Sequence, residues 1–103
     1  MGGRTIRGIL LDTHVWIWLY EKSPELKPNI VNQINQWGKK GGVYISAISV
    51  WELSVLVAKE RIVLKKPIRD WVTAAFNQPG VKLAPLTADI AIEKYDLKRK
   101  AHE

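Results

Sequence analysis

Between Ile9 and Tyr20 the chain reads Ile-Leu-Leu-Asp-Thr-His-Val-Trp-Ile-Trp-Leu-Tyr, two apolar runs that meet at one carboxylate. The first run, residues 6–11, is interrupted by Arg7 and Gly8 and has the length of a short buried strand. The second, residues 15–19, is apolar on more than one face and reads as a helix buried on several sides. A strand that passes into a buried helix within three residues must pack that helix against its own sheet. Asp12 then stands at the C-terminal end of the strand, where open α/β sheets place their ligands.

The same alternation recurs downstream. The spacing predicts helix over 13–20, a turn at Ser23-Pro24-Glu25, and helix over 27–37 with Ile30, Val31, Ile34 and Trp37 on one face. Gly38-Lys39-Lys40-Gly41-Gly42 breaks the pattern, and 43–45 reads as a second strand. A third helix is expected from Val50 to about Arg61, with Val50, Trp51, Leu53, Val57 and Ala58 buried, and 62–64 extending from it. Pro67 opens a fourth helix that runs to Asn77, and Gln78-Pro79-Gly80 turns the chain into a third strand over 81–86. Thr87 caps a last helix that begins at Ala88. Strands alternating with helices imply an α/β fold with a central parallel sheet in one domain, residues 1–103. Residues 94–103 carry Lys94, Lys98, Arg99 and Lys100 among Glu93, Asp96 and Glu103, and read as a solvated helix end or a frayed tail.

Composition narrows the function classes. No cysteine is present, which excludes disulfides and thiolate metal sites. Sixteen Lys and Arg against ten Asp and Glu leave a net charge of +6, a balance that favours polyanionic partners. The longest apolar run is too short to span a bilayer, and the basic N-terminus lacks a signal-peptide pattern, so the reading is a cytoplasmic protein with no membrane partner.

Two carboxylates share one context. Asp12 and Glu52 each follow a strand and lie near the start of a helix, so both are expected in the crevice at the C-terminal sheet edge. Convergent carboxylates there would bind Mg²⁺ or Mn²⁺, which prefer oxygen ligands. Structural roles compete with this. Asp12 is a good N-cap, Thr13 could share that task, and Ser49-Val50-Trp51-Glu52 has the form of a capping box. His14 beside Asp12 reads as a packed or surface side chain. Asp89 suits the first turn of its helix, and Asp96 lies on a charged face. Lys39-Lys40 and Lys65-Lys66 are loop lysines within reach of phosphate in principle, and the five Trp are expected mainly in the core.

Leu10-Leu11-Asp12-Thr13-His14-Val15-Trp16-Ile17-Trp18 resembles the opening of PIN-domain proteins, notably the ribonuclease toxins of bacterial type II toxin–antitoxin pairs. Val43-Tyr44-Ile45-Ser46-Ala47-Ile48-Ser49-Val50-Trp51-Glu52-Leu53 is similar to their second motif, and Pro85-Leu86-Thr87-Ala88-Asp89-Ile90-Ala91 to the step after their third strand. The resemblance implies a three-layer α/β/α sandwich and a Mg²⁺-dependent endoribonuclease that hydrolyses RNA phosphodiester bonds. It also implies a cognate antitoxin and a homodimer. Asp12 and Glu52 match catalytic, metal-binding acids. Thr13 matches a hydroxyl position near the metal, and Thr13 and Ser49 are expected as supporting or capping residues. Family members continue past this point with a segment resembling aspartate–proline–any–aspartate–arginine and a further helix and strand. Here Lys98-Arg99-Lys100-Ala101-His102-Glu103 follows instead. The expectation is therefore a truncated relative, lacking the last strands and a match for the third and fourth acids. A non-catalytic PIN-like module that binds antitoxin, protomer or RNA is the alternative.

Overall fold

The computed structural model describes residues 8–101, with side chains through residue 97. Three strands, β1 (Ile9–Leu10), β2 (Val43–Ser46) and β3 (Val81–Ala84), form a parallel sheet in the order β1-β2-β3. Five helices flank it: α1 (Thr13–Glu21), α2 (Pro28–Lys39), α3 (Ala47–Ala58), α4 (Ile68–Phe76) and α5 (Ala88–Ala101). The α/β class and the parallel sheet expected from the alternating pattern are thus what the chain adopts. Register runs Ile9 to Val43 and Leu10 to Tyr44 across the first pair, and Val43 to Val81 through Ser46 to Ala84 across the second.

Side chains alternate across a strand, and here that alternation divides the strands between two cores. Ile9, Leu11, Val43, Ile45 and Val81 join the larger core with residues from α1, α2, α3 and α4. Leu10, Tyr44 and Ala84 face the other way and pack with Ile90 of α5. An aromatic cluster closes the larger core. The Trp16 and Trp71 rings meet edge-on at 5.1 Å, Tyr20 meets Trp71 at 5.0 Å, and Phe76 lies 5.8 Å from Trp16. Trp71 is fully buried, and its indole N–H donates to Glu21 Oε2 at 2.7 Å, which satisfies its one polar atom.

Several boundaries differ from expectation. Helix α3 begins at Ala47, because Ser46 takes the cap and its Oγ accepts from the Ile48 N–H at 3.0 Å. Ser49 therefore lies inside the first turn, and the expected Ser49–Glu52 capping box does not form. The helix stops at Ala58 rather than near Arg61. Glu60 turns left-handed with φ 55°, and the Arg61 N–H reaches back to the Leu56 carbonyl at 2.9 Å. Residues 62–64 accordingly lie outside the helix. Trp51, expected in the core, is 65% exposed, and Ala58 is exposed too. Helix α3 turns Ser49 and Leu53 inward, one turn apart on the same face, which places Trp51 on the outside. Trp37 is also exposed.

Candidate functional site

Because the three strands are parallel, the helices that follow them all start at one sheet edge. Helices α1, α3 and α5 begin there, directly after β1, β2 and β3. Asp12 is the N-cap of α1, and its Oδ2 accepts from the His14 N–H at 3.2 Å. That capping bond engages one carboxylate oxygen and leaves Oδ1 turned elsewhere. Thr13, one residue on, is buried and does not cap. Its hydroxyl lies 2.5 Å from Glu52 Oε1 and 2.9 Å from Ser49 Oγ. A hydroxyl has a single proton, and the carboxylate is the stronger acceptor. Thr13 therefore donates to Glu52, and Ser49, also fully buried, donates to Thr13.

The chain Ser49 to Thr13 to Glu52 ties α3 to α1 and fixes one oxygen of a carboxylate whose side chain is only 15% exposed. Glu52 can be so placed because it lies on the inward face of α3, one turn after Ser49.

Lys94 completes the group, and it is the residue that the sequence reading leaves out. Its side chain is 3% exposed, and its Nζ lies 3.5 Å from Asp12 Oδ1 and 3.8 Å from Glu52 Oε1. The expectation of a solvated Lys94 is corrected on this point: α5 continues through it to Ala101 and buries it. The signal was available. Ile90, Lys94 and Leu97 follow i, i+4, i+7 spacing, so a lysine occupies the apolar stripe of α5. A buried ammonium is costly unless paired, and two carboxylates meet that requirement here.

Asp89 and Asp96 do not join Asp12 and Glu52 in a cluster, and His14 borders Asp12 from the surface. Asp89 is exposed in the first turn of α5, and Thr87 Oγ1 caps that helix by accepting from the Ile90 N–H at 3.2 Å. Asp96 is exposed on α5. His14 is at the surface, with Nδ1 4.0 Å from Asp12 Oδ2 and its ring 6.0 Å from that of Trp18. His102 lies outside the described residues. Among the described residues, no three His, Cys, Asp or Glu side chains gather as a metal site. No described helix is long and apolar enough to cross a membrane. A cleft lined by Leu19, Tyr20, Val31, Ile34, Lys65 and Trp71, among others, includes none of the four residues expected at the site.

The profile of the PIN domain matches residues 9–102. The chain belongs to the PIN-domain family. Comparison with curated proteins and with solved structures gives no match. PIN domains are a family of nucleases, often toxins, that typically use a divalent metal. The donors of this PIN domain suit such an ion by type, since Asp12, Glu52 and Thr13 offer only oxygen. The Lys94 ammonium is itself a cation held by both carboxylates.

Proposed function

We propose that this PIN domain serves a Mg²⁺- or Mn²⁺-dependent endoribonuclease of toxin type, with Asp12 and Glu52 as its catalytic and metal-holding acids. One observation carries the reading. In a chain of this family, acids from two different strand–helix junctions reach the same ammonium at the C-terminal edge of a parallel sheet. Mg²⁺, when bound, neutralises phosphate charge and lowers the pKa of its water. The protein's part is positional. Ser49 and Thr13 hold Glu52, and the capping bond to His14 N–H holds Asp12.

Net charge of +6 supports a polyanionic substrate such as RNA, and exposed Trp51, next to Glu52 in sequence, offers a face on which a base could stack. Leu83, Leu86, Ile92 and Tyr95 are apolar or aromatic and exposed, which supports a protein partner, either a cognate antitoxin or a second protomer. The compartment proposed for this activity is the cytoplasm.

Lys94 favours a second reading. An acid pair already neutralised from within suits a non-catalytic module that binds RNA, protomer or antitoxin without cutting. Incubation with structured and single-stranded RNA separates the two. The enzyme reading expects cleavage with Mg²⁺ or Mn²⁺, none with EDTA, and none by Asp12→Asn. Folded wild-type protein that cuts no better than the variant overturns the enzyme reading and leaves the binding module.

A further inference from the structure

Lys94 is an unusual occupant of a site proposed to hold metal. Its side chain is almost fully buried, it belongs to α5 rather than to the helices that carry the acids, and its Nζ lies within 4.0 Å of oxygens from both. We infer that Lys94 is a built-in cation that competes with divalent metal for Asp12 and Glu52, so that metal enters only when the ammonium withdraws. The inference rests on the reading of Asp12 and Glu52 as metal-holding acids.

Three features support it. The ammonium and a divalent cation would draw on the same two carboxylates, since Nζ already faces Asp12 Oδ1 and Glu52 Oε1. Like charges this close in a partly buried site repel, so each weakens the hold of the carboxylates on the other. The lysine also has a route out. It sits on a four-carbon stem, and α5 packs on the smaller of the two cores, where Ala84 and Ile90 are the buried members and Leu10 and Tyr44 are partly buried. A small shift of that helix would move Nζ without disturbing the Ser49–Thr13–Glu52 chain, which is made by α1 and α3 alone.

The test is direct binding of Mn²⁺ alone, followed by calorimetry or by the free-ion electron paramagnetic resonance signal. Lys94→Gln and Lys94→Met should bind Mn²⁺ at least about tenfold more tightly than wild type, the repelling charge being gone. Adding Asp12→Asn should remove the gain. Equal or weaker binding by the variants overturns the inference, because Lys94 would then be a spectator or a helper. If neither variant folds, the wild type decides. Acetylation of the Lys94 amine, read by mass spectrometry, should be slow without metal and should accelerate as Mn²⁺ rises into the millimolar range. An unchanged rate throughout that range overturns the inference. RNA cleavage enters none of these readouts. Tighter Mn²⁺ binding without cleavage would uphold the role of Lys94 and reject the nuclease reading.

Discussion

Trp71→Ala should cost the domain a large part of its stability. Trp71 is fully buried at the centre of the larger core, with Trp16 and Tyr20 edge-on against it at 5.1 and 5.0 Å. Truncating a buried Trp to Ala removes its transfer free energy and leaves a cavity, costing about 3–5 kcal/mol. The indole N–H bond to Glu21, at 2.7 Å, is lost as well. Small domains commonly have only about 5–15 kcal/mol in total, so this one change consumes much of the margin. Trp71→Phe keeps most of the ring packing and gives up the hydrogen bond, and should cost less than half as much. Urea denaturation followed by circular dichroism measures both. Similar midpoints for wild type and Trp71→Ala would mean that the aromatic cluster does not hold α4 to α1.

Glu52→Gln should have the larger effect on activity and a modest one on folding. The amide keeps an oxygen that can accept from Thr13, so the chain from Ser49 survives. It loses the charge that faces Lys94 at 3.8 Å, while Asp12 remains at 3.5 Å. Because one carboxylate is retained, the stability cost should be about 1–3 kcal/mol, below that of breaking a buried pair outright. If Glu52 is a metal ligand, cleavage should fall at least about a hundredfold, since even the supporting partners of metal ligands cost up to that much. A single-turnover cleavage assay beside a urea melt separates the two effects. Folded Glu52→Gln with wild-type cleavage would remove Glu52 from the catalytic assignment.

The strands and helices were readable because their signals were local. Gly38–Gly42 and Gln78-Pro79-Gly80 punctuate the chain, and apolar periodicity fills the intervals. Asp12 and Glu52 stood out because acids at strand–helix junctions are few. The start of α3 was less legible because Ser46-Ala47-Ile48-Ser49 offers two hydroxyls, and which one caps depends on where β2 releases the chain. Trp51 misled for a related reason. Helix α3 is apolar on nearly every face, so its buried face could not be phased from hydrophobicity, and Thr13 and Lys94 reveal it through their contacts with Glu52. Lys94 itself lies in a stretch dense with charge, where one buried lysine resembles its solvated neighbours. The row Ile90, Lys94, Leu97 is what marks it, because that face of α5 turns inward and carries Nζ to Asp12.

We propose above that Asp12 and Glu52 form one cation-binding unit. Crystals of Lys94→Gln grown with Mn²⁺ test it most directly, through the anomalous difference map at the C-terminal edge of the sheet. One strong peak is expected between the two carboxylates, with oxygens of both within bonding distance of the ion. A fully occupied Mn²⁺ elsewhere, or a map with no peak between Asp12 and Glu52 at saturating metal, would contradict it.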